Sequence, residues 1–161
     1  MLFAVLPAEA QYNREYFFWM GRRLMMEKEY SEAIRTLNIL LRADEKAFEG
    51  YFWRGIAKYQ LGDLLGADAD FTIALELNPV YTIAYTYRAI TRSRLGNYDD
   101  ALKDFQEAID LRPDLPNPYY SRGVTRLLNQ QFKEAIADFD QFILQEDKVA
   151  DAYLNRGVAY L

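Results

Sequence analysis

The chain has 161 residues, 51% of them hydrophobic, a net charge of −5, and neither Cys nor His. Without those two side chains, disulfides, thiolate nucleophiles, zinc–thiolate and imidazole metal sites, and every Ser-His-Asp or Cys-His arrangement are excluded. The acidic balance argues against a nucleic-acid partner, no apolar run approaches the roughly 20 residues of a membrane-spanning helix, and no cofactor or metal is expected.

Residues 1–13 form a leader that begins Leu2-Phe3-Ala4-Val5-Leu6-Pro7 and continues Ala8-Glu9-Ala10. Two readings of it stand. An apolar stretch closing on a small-x-small pattern resembles a signal-peptide remnant, with the mature start near Gln11 and a destination in the periplasm or cell envelope. The missing basic region favours instead a short apolar tail on the first repeat of a cytoplasmic chain.

From residue 14 the sequence repeats itself. Tyr51-Phe52-Trp53-Arg54-Gly55 returns as Tyr119-Tyr120-Ser121-Arg122-Gly123 and as Tyr153-Leu154-Asn155-Arg156-Gly157, which sets a 34-residue period. One column holds Phe17, Tyr51, Tyr85, Tyr119 and Tyr153; a second holds Gly21, Gly55, Ala89, Gly123 and Gly157. Ala33, Ala67, Ala101 and Ala135 form a third, followed by Leu37, Phe71, Phe105 and Phe139. The period divides the chain into units 14–47, 48–81, 82–115 and 116–149, with the first helix of a truncated fifth at 150–161. Within each unit apolar residues recur at helix spacing, as in Ala67, Phe71, Ala74 and Leu75. Gly62 and Gly96 supply left-handed helix ends that break the second and third units in their middle, and Pro79 and Pro113 stop the second helices. A hairpin of this size cannot bury enough apolar surface alone, so each unit must cover its neighbour.

These columns resemble the tetratricopeptide repeat family over residues 14–161. The resemblance implies an all-α, right-handed superhelical solenoid of antiparallel helix pairs, about nine helices in all, and a non-catalytic scaffold that binds a protein or peptide partner in a concave groove lined by the first helices. Position by position, the wall would hold Phe18, Trp19, Arg22, Met25 and Met26, then Phe52, Trp53, Ile56 and Tyr59. Tyr87, Ile90 and Arg94 would follow from the third unit, and Tyr120, Val124, Leu127 and Leu128 from the fourth. Heat-shock co-chaperones of this family grip a C-terminal carboxylate with Lys, Asn and Arg from three successive first helices. Here those places hold Phe18, Arg22, Trp53, Ile83 and Tyr87, so that ligand is not expected. The family pattern also weakens at Glu45 and Asp147, which replace the closing proline, and at Leu40 and Phe142, which replace a small residue, so those junctions are expected to pack differently.

A basic column offers two readings. Arg54 and Lys58, Arg88 and Arg92, and Arg122 and Arg126 lie four apart on the first helices, and could form an anion-binding ladder. The same three units, however, carry Asp70, Asp104 and Asp138 at one fixed place, while the first unit has Met20 and Thr36 at the matching positions. Joint loss of both partners favours internal ion pairs for Arg54–Asp70, Arg88–Asp104 and Arg122–Asp138. No partner is evident for Lys58, Arg92 and Arg126, which are expected to reach solvent. No catalytic residue is assigned: Asp99 and Asp100 open a helix, where negative charge suits the helix dipole. The last helix, with Tyr153, Val158, Tyr160 and Leu161, is apolar on more than one face. That pattern predicts a piece of a longer, structural or self-assembling repeat protein, or self-association through the C-terminal helix.

Overall fold

A computed structural model describes residues 8–161, with side chains from Asn13 onward. Most of the apolar leader therefore lies outside the described residues. The first helix starts at Ala8 and runs through the expected boundary at residue 14.

Among the described residues the chain is all-α, with nine helices and no strand. They are α1 (Ala8–Met26), α2 (Tyr30–Ala43), α3 (Phe48–Gln60), α4 (Leu64–Leu77), α5 (Thr82–Arg94), α6 (Tyr98–Leu111), α7 (Pro116–Leu128), α8 (Phe132–Gln145) and α9 (Ala150–Ala159). Odd-numbered helices after the first begin at residues 48, 82, 116 and 150, and even-numbered ones at 30, 64, 98 and 132, each step being 34 residues. The chain divides into two compact units, one ending at Pro79 and one beginning at Val80.

In the first unit α1 packs on α2 and α3 on α4, with α2 against α3 and α1 against α3. The close approach depends on glycine. A methyl group at Gly21 would lie 2.8 Å from Leu37, and one at Gly55 would lie 2.8 Å from the Phe71 ring. Leu37 and Phe71 fill those notches and are fully buried, each contributing about 1.5–3 kcal/mol by leaving water. Leu40, a large residue where the next two units have alanine, is accommodated by Gly50, whose missing side chain would otherwise fall 3.1 Å from it. The junction is thus repacked by a size exchange across α2 and α3.

In the second unit α5, α7 and α9 touch in sequence, and α6 and α8 pack between them. Phe105 packs with Ala89 and Ala101, and Phe139 with Ala135 and Ala159. A methyl at Gly123 would meet Phe139 at 2.8 Å, whereas Gly157 of α9 has nothing within 4 Å. Phe142, in the other exceptional position, is buried against Tyr120 with ring centroids 5.1 Å apart.

All four hairpin turns pass through positive φ at one repeat position: Lys28 (61°), Gly62 (85°), Gly96 (81°) and Gln130 (59°). Two non-glycine residues thus do what glycine does in the middle units, at a steric cost of roughly 1–2 kcal/mol each. α2 and α8 end at the same position as α4 and α6 although Glu45 and Asp147 stand in for proline; in all four the capping residue turns to extended-like backbone, with φ between −135° and −144°. Proline reinforces a stop that the packing already imposes.

Candidate functional site

The first-helix faces carry two kinds of arginine. At the repeat position of Arg54, the guanidinium grips the aspartate of its own second helix. Arg54 Nε and Nη2 donate to Asp70 at 2.8 and 2.6 Å, Arg88 Nε and Nη2 to Asp104 at 2.8 and 2.7 Å, and Arg122 Nη2 to Asp138 at 2.7 Å. All three aspartates are buried. Hydrogen bonding to Asp70 holds the Arg54 guanidinium above its ordinary pKa against the opposing effect of burial. Each guanidinium also lies 5.3–5.8 Å from the tyrosine three residues earlier, Tyr51, Tyr85 or Tyr119.

The expectation that Lys58, Arg92 and Arg126 reach solvent unpaired is overturned. Lys58 Nζ lies 2.8 Å from Asp70, Arg92 Nη1 donates to Asp104 at 2.9 Å, and Arg126 Nη1 to Asp138 at 2.7 Å. One ionised carboxylate has about four lone-pair sites, enough for a bidentate arginine and a second cation one helical turn along. Arginine also reaches backward: Arg54 Nη1 donates to Asn38 of α2 at 2.7 Å, Arg122 Nη1 to Gln106 of α6 at 2.6 Å, and Arg156 Nη1 to Asp140 of α8 at 2.6 Å.

The other kind of arginine is Arg22. Its guanidinium lies 5.0 Å from the Trp19 ring, 5.1 Å from Trp53 and 5.7 Å from Phe18. Phe18 and Trp19 meet edge to face on α1, as do Phe52 and Trp53 on α3, both at 5.4 Å. Trp19 is 60% exposed, and it borders a surface depression of about 370 Å³ with Tyr16 and Met20. The sequence reading did not single out Tyr16, which is half exposed; its place, a turn before Trp19, carries no repeat signature.

The expected wall is only partly a surface. Phe52 is 1% exposed and packs on Phe71, with centroids 5.9 Å apart; Ile56 (7%) and Met25 (9%) are also buried. These three are core residues, because their positions turn toward the second helix layer. Phe18, Trp53, Tyr59, Tyr87 and Ile90 are half-buried, and Ile90 packs against the Phe105 cluster. Tyr120, Val124 and Leu127 pack against Phe139. The Tyr120 hydroxyl accepts from Asn155 Nδ2 at 3.0 Å, and burial pushes its pKa up. Met26 and Leu128 are exposed. A buried Thr125–Ser93 hydrogen bond of 3.0 Å between α7 and α5 was not foreseen, since neither hydroxyl stands out in the sequence.

Helix pairs recurring at one period, with side-chain chemistry repeated on the first helices, define a helical-repeat protein. The comparisons give the family: a tetratricopeptide repeat model matches residues 20–79 and a TPR repeat model residues 92–130, and the chain belongs to the tetratricopeptide repeat family. No curated protein matches the sequence at a significant level. Among solved structures, MamA of Desulfovibrio magneticus RS-1 is similar at TM-score 0.85 and 20% identity, over 91% of this chain and 83% of that one. YrrB, described as a TPR protein with an unusual peptide-binding site, is similar at TM-score 0.78 and 21% identity, over 89% and 74%. The first TPR of Spaghetti (RPAP3), bound to the HSP90 peptide SRMEEVD, gives TM-score 0.70 and 23% identity, over 72% and 92%. These likenesses concern the fold.

Proposed function

We propose that the chain is a non-catalytic scaffold that captures a peptide or an exposed segment of a partner protein on its first-helix face, anchored at Trp19, Arg22 and Trp53. The carrying observation is Trp19, 60% exposed and set against an arginine that a second indole also contacts. Large aromatics and arginine at a partly desolvated surface supply most of the energy at interfaces. Two proteins of the same fold, YrrB and the RPAP3 repeat domain, are described with peptide sites, which supports a peptide as the class of ligand. Proton-transfer chemistry is disfavoured because Asp70, Asp104 and Asp138 are each engaged by two cations. In this reading units 14–47, 48–81, 82–115 and 116–149 are the repeats.

A pull-down from native extract compares wild type with Trp19→Ala and Trp53→Ala, alongside thermal unfolding. Expected is loss of the captured protein in both variants with the helical signal retained. Capture unchanged in both would end the reading.

A second reading, self-association through α9, is favoured by one observation. Gly157 has an open face, and Leu154 and Val158 beside it are exposed, whereas the equivalent glycines are filled by Phe71 and Phe139. Light scattering should then show a mass that rises with concentration and falls back with Leu154→Asp; a concentration-independent monomer would exclude it.

A further inference from the structure

Resting on the peptide-capture reading, we propose that the ligand presents an Asp or Glu side chain beside an apolar residue, and that Arg22 receives that carboxylate while Trp19 receives the apolar neighbour. On the other first helices seven of the basic residues are already neutralised. Arg54, Lys58, Arg88, Arg92, Arg122, Arg126 and Arg156 each contact an aspartate. Arg22 differs: among the described residues its recorded contacts are the three rings of Phe18, Trp19 and Trp53.

Ring contact holds a guanidinium without consuming the N–H donors that lie in its plane, and those donors form a fork matched to a carboxylate. The indoles restrain the side chain before a ligand arrives, which reduces the ordering cost of binding. They also displace water, so a charge-assisted bidentate pair formed there is stronger than one in open solvent. The net charge of −5 works against a polyanion. A single acidic residue framed by apolar ones avoids that repulsion and gives the exposed Trp19 surface a partner. The position matters too: the repeat pattern places Asp where an arginine must be a strut, and the first unit, with Met20 and Thr36 at those places, spends no carboxylate.

The test is a random-peptide display library selected on wild type, Arg22→Gln and Trp53→Ala. Binding of recovered peptides is then followed by intrinsic fluorescence, since Trp19 and Trp53 are the chain's two tryptophans. The expected wild-type pool is enriched in Asp or Glu next to an aliphatic or aromatic residue. Replacing that acid with its amide weakens binding at least tenfold, and the Arg22→Gln pool loses the acid while keeping the apolar residue. A pool without acidic preference, or one whose preference survives Arg22→Gln, overturns the carboxylate assignment while leaving peptide capture standing. If no recovered peptide depends on Trp53, peptide capture itself falls, and this inference with it.

Discussion

Two arginines at different repeat positions, Arg22 in the α1–α3 region and Arg122 in the α7–α8 region, show what a neighbour does to one side chain. Arg122 is buried and bonded to Asp138, Gln106 and the face of Tyr119, so its charge holds helices together. Arg22 stands among indoles at the surface, where its charge remains available. The same functional group is a structural element where a second-helix aspartate faces it and, in the function proposed above, a recognition element where two indoles hold it instead.

The strongest way to break this contrast is Asp138→Ala. Removing the carboxylate leaves two cations, Arg122 and Arg126, without their counter-charge, and should lower unfolding stability by about 3–5 kcal/mol in urea denaturation. A loss within a fraction of a kcal/mol would show that the arginines are solvated and the contrast false. Asp104→Ala should behave alike.

A paired substitution sharpens the packing side. Gly123→Ala puts a methyl 2.8 Å from Phe139 and should cost about 1–3 kcal/mol, whereas Gly157→Ala meets no atom within 4 Å and should gain up to about 1 kcal/mol from helix propensity. Equal melting temperatures for the two would contradict the notch geometry. Smaller again, Gln130→Gly relieves the positive φ of 59° and should stabilise by about 0.5–1 kcal/mol, with no gain expected from adding glycine within α8.

The smallest effect concerns an exposed pair outside both regions. Hydrogen bonding from Arg112 holds the Asp114 carboxyl at about 2, below its ordinary value. Its folded pKa is depressed, so its contribution is complete above the usual carboxylate range near pH 4 and is lost as pH falls toward 2. Asp114→Asn should therefore lower stability slightly and evenly above about pH 4 and converge with wild type as pH falls toward 2, and a loss at pH 7 as large as that of Asp138→Ala would be inconsistent.

The helix pairs were legible because the constraints that make them are local and repeat: Gly55 must be small for Phe71, and Gly62 must turn left. Lys28 and Gln130 were not, since a left-handed turn enforced by flanking helices leaves no mark on the residue type. The second cation on each aspartate was missed because counting one acid per arginine ignores the carboxylate's remaining lone pairs. Phe52, Ile56 and Met25 were assigned to the wall by position alone, and position does not say how far a helix is rolled toward its partner. Trp19 was legible as an aromatic on the first-helix face, but its contact with Arg22 and Trp53 depends on how α1 and α3 lie together, which one repeat's pattern cannot give.

The backward reach of Arg54 to Asn38, Arg122 to Gln106 and Arg156 to Asp140 has a kinetic corollary. Each such rung is shared by adjacent hairpins, so a hairpin that opens strips a polar tie from the one before it. Within each compact unit, amide protons of α2 and α3, or of α6 to α9, should then exchange through common openings and not hairpin by hairpin, giving a repeat array cooperativity beyond what apolar stacking alone supplies.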